Sequence, residues 1–128
     1  MEILTLIHSR LSVTMLLFMI ALAVWGFWNY LRGAGVTGSY WGGLAIGEGL
    51  IVVEGILGGV LYALGLRPER DVLHILYGIV AVISIPSAFA FTRGRTGRYE
   101  VLIYALIALF LAGITSRAQT TGGLLGPG

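Results

Sequence analysis

Four long apolar stretches divided by short polar ones set the pattern of this chain. The first runs from Leu11 to Leu31 without a charge. The second covers about 41–64 and carries Glu48 and Glu54. The third is 72–92, and the fourth, about 99–117, has Glu100 at its rim. A hydrocarbon core of ~30 Å needs ~20 helical residues. The first three stretches meet that length, and the fourth does so if its helix continues toward Ala118. Lipid offers a backbone no hydrogen-bond partners, so such stretches must be helices. Strand-like alternation is absent. The prediction is an all-α integral membrane four-helix bundle over residues 1–118, with a flexible tail at 119–128.

The connections, 32–40, 65–71 and 93–98, are short, which predicts antiparallel neighbours in an up-down-up-down order. The first stretch lacks a basic leader and exceeds the length of a cleaved signal, so it reads as a retained span. Trp25, Trp28, Tyr30, Tyr40 and Trp41 gather at one end of the first two helices and read as an interfacial aromatic belt. Arginines do not decide orientation: Arg10, Arg67, Arg70 and Arg117 stand on one side, Arg32, Arg93, Arg95 and Arg98 on the other. The dense RGRTGR cluster tips connections one and three toward the cytoplasm.

Composition agrees: 57% of residues are hydrophobic and 11% charged, against about 25% charged in soluble domains. With no cysteine, disulfides, thiolate nucleophiles and cysteine-held metals are excluded. The net charge of +2 is too small and scattered for nucleic acid. No Walker, GxSxG, HExxH or Rossmann motif is present, so any chemistry must lie inside the bundle or at its rim.

The unusual positions are in GEGLIVVEGILGG, residues 47–59. At 100° per residue Glu54 lies within about 20° of Gly43 and Gly47, and about 40° from Gly58. Glu48 lies within about 20° of Gly55 and Gly59, and about 120° from Glu54. The carboxylates therefore share no face and are not an acid–base pair. Glycines four apart admit a close neighbouring backbone, which predicts helix two gripped on two sides. Glu54 falls near the bilayer middle, where a carboxylate costs on the order of 3 kcal/mol. It should be neutral and hydrogen-bonded, or partnered by a cation or cofactor.

His8 shares a face with Ser12, Met15, Met19, Leu22 and Gly26, and His74 with Gly78, Ala81, Ile85, Ala88 and Thr92. Small and flexible residues suit a bundle interior. Two histidines at one depth on parallel helices are candidates for the axial ligands of haem b, with Arg10, Arg67, Arg70 or Arg117 to pair with propionates. The same His8, His74, Arg10 and Tyr77 also suit a quinone headgroup. Interfacial histidines with only structural hydrogen bonds are the competing reading. Met15 and Met19 share a stripe and suit packing more than copper. Pro86 predicts a kink in helix three, with Ser84 and Ser87 available to satisfy freed backbone groups.

The N-terminal HSRL, the glutamate-bearing Gly-rich second helix and the HILYG opening the third resemble small four-helix membrane proteins of bacteria, a resemblance that implies no activity. In architecture the chain is similar to cytochrome b561 and CopD-type bundles. It lacks the four deep histidines of the two-haem type, which leaves room for at most one bis-histidine haem. These features imply a multi-pass protein of a bacterial inner membrane, non-enzymatic, packing with other membrane proteins or with copies of itself. The readings are an accessory subunit of an electron-transfer complex, a haem- or quinone-binding module, and a proton-coupled carrier with Glu54 as its titrating group.

Overall fold

The computed structural model describes residues 2–65, 67–68, 71–121 and 124–125. Four helices dominate: α1, Glu2–Leu31; α2, Gly38–Ala63; α3, Asp71–Thr92; and α4, Arg98–Thr121. Two-residue strands, β1 (Arg67–Pro68) and β2 (Leu124–Leu125), pair antiparallel. All four helices are long and apolar enough to cross a membrane. Their outward faces carry side chains such as Val24, Ile46, Ile56, Ile83 and Phe91, all at least half exposed. A water-facing surface would not be built this way; this is a small multi-pass membrane protein.

The helices form a ring in which α1 contacts α2 and α4, and α3 contacts α4 and, least closely, α2. Up-down-up-down order therefore places the parallel pair α1 and α3 on a diagonal. Helix α4 is the hub: 44% of its apolar window is buried, against 22–28% for the others. Its inward stripe is Val101, Ala105, Ala108, Leu111 and Ala112, and the alanines admit α1 closely. At Gly26 of α1 an added Cβ would stand 2.7 Å from the Ala105 Cβ and 2.6 Å from the Tyr40 hydroxyl.

The bundle is sealed at one end. Tyr40 is fully buried and donates to the Leu22 carbonyl at 3.0 Å. Trp25 meets Tyr40 at 5.1 Å between ring centres, and Trp41 meets Phe89 and Tyr104 at 5.6 and 5.5 Å. The loops at this end are tied together as well. The Val36 amide donates to Thr96 O at 2.9 Å, and Arg98 Nε donates to Tyr30 O at 2.8 Å. A Cβ at Gly35 would collide with that Thr96 carbonyl. The expected aromatic belt is thus mostly a plug. Trp28 points outward, whereas Tyr40 is in the core and Trp25 and Trp41 pack against it. Clustering along the sequence does not separate a ring at the interface from one turned inward.

Two helix boundaries differ from expectation. Helix α1 begins at Glu2, well before the uncharged run. Ile3, Leu4, Leu6, Ile7 and Leu11 carry its apolar character past Arg10, so His8 lies inside the helix. Helix α4 continues to Thr121, so part of the expected tail is helical; residues 122–123 and 126–128 lie outside those described. Helix α3 passes through Pro86 without interruption. Proline cannot donate to the carbonyl four residues back, which is that of Val82. Ser84 does not serve that group and donates to Val80 O at 2.6 Å.

Candidate functional site

At the end opposite the plug the four helices diverge around a cavity of about 940 Å³. That is near the top of the ~300–1,000 Å³ range of small-molecule sites. Its polar groups come from every helix: Thr5, His8 and Ser12 from α1, Glu54 and Tyr62 from α2, His74 and Tyr77 from α3, Thr115 from α4. Ser9 and Gln119 also reach it, and most of the remaining wall is apolar.

The two histidines meet here. Their ring centres are 6.3 Å apart, with the planes inclined at 66°. Each ring sits on an inward stripe, as helical periodicity predicts. Met15, Met19 and Leu22 continue the His8 stripe in the core, and Ala81, Ile85 and Ala88 the His74 stripe. The His74 Nδ1 lies 3.1 Å from the Ala118 carbonyl oxygen. Since a carbonyl only accepts, that contact makes His74 Nδ1 the protonated nitrogen. The His8 Nδ1 lies 3.4 Å from Glu54 Oε1. That distance is an ion-pair contact without hydrogen-bond alignment, and neither atom has another hydrogen-bond partner among the described residues.

Glu54 is 7% exposed. Burying a carboxylate with one imperfect partner is costly, so the pair is a built feature rather than a surface contact. It is positioned by its glycines. Gly43 and Gly47 bring α2 onto Leu22, Trp25 and Met19 of α1, and one turn beyond Glu54 a Cβ on Gly58 would stand 3.3 Å from His8 Cε1 and 3.9 Å from Nε2. The Nε2 edge of His8 is thus kept clear by the missing side chain.

The other glycine face of α2 behaves differently from expectation. A Cβ at Gly55 or Gly59 would meet nothing within 4 Å, and the same is true of Gly78 on α3. All three line the cavity beside the exposed Ile75, Ile79 and Ile83. Helix α2 is gripped by α1 on its Gly43/Gly47 side and open on its Gly55/Gly59 side. The cavity therefore opens between α2 and α3 toward the lipid-facing surface. Glu48, on that second face, is half-buried, and its Oε1 has no hydrogen-bond partner among the described residues.

Not every expected residue gathers here. Tyr77 lines the cavity, but Arg10 and Arg117 are exposed and outside its walls. The side chains of Arg67 and Arg70 lie outside the described residues. Sequence reasoning placed Gly58 on the Glu54 side of α2 without giving it a part in the site, and missed the Ala118 carbonyl. That part was findable, one turn from Glu54; a carbonyl reached across 44 positions leaves no local signal.

Among the described residues no group of three or more His, Asp or Glu could hold a metal ion. Two imidazoles alone leave a bare ion short of ligands, since such ions take four or more. The arrangement suits a group that supplies its own ligands and needs only two from the protein. Comparison with known proteins finds no family model, no curated protein and no solved structure that matches this chain.

Proposed function

We propose that this protein is a haem b-binding electron-transfer module of a bacterial inner membrane, in which His8 and His74 would hold the iron. The observation that carries this is the histidine pair. The two rings lie 6.3 Å apart, centre to centre, in one cavity, close enough for both imidazoles to hold one iron. Both Nδ1 atoms face an oxygen, the Glu54 carboxylate and the Ala118 carbonyl. The His74 contact is the kind of hydrogen bond by which the other nitrogen orients a histidine that binds metal through Nε2; the His8 contact is an approach without that alignment. The cavity has the volume and the apolar wall that a macrocycle needs, and Gly55, Gly58, Gly59 and Gly78 leave room beside the rings.

Bound haem would supply one-electron redox chemistry. The protein's part is to hold the two imidazoles, exclude water with the plug and the apolar walls, and present the site at one membrane face. Arg10 and Arg117, both exposed, would pair with propionates at the rim. The electron partner would be a neighbouring membrane protein or a second copy, which accommodates the accessory-subunit reading. A second reading, a quinone headgroup against His8 and Tyr77, draws support from the opening between α2 and α3. A transmembrane carrier draws less, because Tyr40 and Tyr104 are fully buried across the far half.

The test is an absorption spectrum of protein purified from membranes supplied with haem precursor. We expect one haem per chain, a Soret band, and the sharpened bands of a six-coordinate low-spin haem on reduction. His74→Ala should abolish that spectrum while the protein still inserts. A colourless wild-type protein that takes up no added haemin would sink the proposal.

A further inference from the structure

The two histidines are unequal in one respect that bears on redox behaviour. His74 Nδ1 faces an amide carbonyl, whereas His8 Nδ1 faces a carboxylate that is itself buried. An outer-shell partner fixes the ring and raises the basicity of the ligating nitrogen. A carboxylate does this more strongly than a neutral amide, because it favours positive charge on the imidazole–metal unit. Low local dielectric amplifies the effect.

Glu54 is held at His8 from both directions. Its own helix is fixed against α1 through Gly43 and Gly47, and Gly58 seats the ring one turn away. The charged and titratable groups that line the cavity around this point are His8 from α1, His74 and Tyr77 from α3, and Tyr62 from α2 itself; from α4 come Thr115 and Gln119, which carry no charge. Among the described residues that line the cavity there is no arginine to neutralise Glu54.

We infer that Glu54 is a positioning residue that sets the reduction potential of the site, acting through His8 to favour the oxidised, more positively charged state. The inference rests on the haem reading above. It goes beyond that reading because two axial histidines alone do not require a carboxylate behind one of them.

The experiment is potentiometric titration of the haem-loaded wild type, Glu54→Gln and Glu54→Asp. Glutamine keeps the size and an acceptor but cannot carry a negative charge. The expected result is a retained bis-histidine spectrum and a midpoint displaced upward. A tenfold loss in preference for the oxidised state corresponds to 59 mV for one electron. Aspartate draws the carboxylate back by one methylene, so its midpoint should fall between the two. An unchanged or lowered midpoint in Glu54→Gln, with the spectrum intact, overturns the inference and leaves the haem reading standing. If Glu54→Gln fails to fold, an Asp midpoint equal to wild type overturns it. Loss of haem from both variants would make Glu54 a structural requirement and also overturn it. A wild type without haem removes the reading on which it depends.

Discussion

Gly26 and Gly58 each sit where a methyl group would collide, but against different neighbours. At Gly26 the obstacles are the Tyr40 hydroxyl at 2.6 Å and the Ala105 Cβ at 2.7 Å, both in the sealed half of the core. Overpacking a tight core typically costs 1–3 kcal/mol, so Gly26→Ala should lower the thermal unfolding temperature in detergent. At Gly58 the obstacle is an imidazole edge at 3.3 Å, beside an open cavity into which the ring can turn. Gly58→Ala should leave unfolding nearly unchanged and weaken haem retention, by about the tenfold typical of a disturbed outer shell. Haem-transfer kinetics to an acceptor protein would measure it; equal retention in both proteins would show that the Nε2 edge of His8 is not a binding edge. Gly49→Ala, on the same helix with nothing within 4 Å and outside the cavity wall, is the matched control for both measurements.

At the level of elements, the sequence carried the helices and most of their inward faces. Hydropathy located the four spans, and the stripes drawn through His8 and His74 are the ones that line the core. Three things were hidden. Helix α1 starts early because polar His8, Ser9 and Arg10 interrupt a window without interrupting a helix. The Trp and Tyr cluster turned inward because Gly43 and Gly26 leave space for it, a fact about neighbouring helices rather than about either helix alone. Glycine spacing marked two faces of α2 as alike, yet one packs on α1 and the other faces open volume. Small residues permit close approach without requiring it. This gives a test specific to α2. Gly59→Leu places a large apolar side chain in open space, which an apolar wall should accept. It should preserve helicity and unfolding temperature while reducing haem occupancy by filling the cavity. Full occupancy in that variant would place the ligand away from the α2–α3 opening.

Taken as a whole, the molecule is a tapered bundle, tight where rings and alanines interlock and open where glycines face one another. The tight end is cross-linked through Arg98 to the Tyr30 carbonyl and through Val36 to Thr96. The contacts at the open end include a Gln119–Ser12 bond at 2.9 Å, the His74 contact with Ala118 and the His8 contact with Glu54, while α2 and α3 touch least. Helices with few packed neighbours open more readily than those in a core. A ligand that bridges His8 and His74 would join the diagonal helices α1 and α3 across the loose half. It would stabilise the folded state by roughly 2.7 kcal/mol at a hundredfold excess over its dissociation constant. That stabilisation should be local. In hydrogen exchange, loading with haem should protect amides near Ile51–Ala63 and Val72–Val82, and leave those near Leu22–Tyr30 and Val101–Ala108 little changed, because the latter are already locked. Equal protection along all four helices would mean that the loose half is not where the ligand acts. Protection confined to the aromatic end would place binding outside the histidine cavity altogether. The taper matters for this reason: it turns a question about two side chains into one that the backbone of the whole bundle can answer.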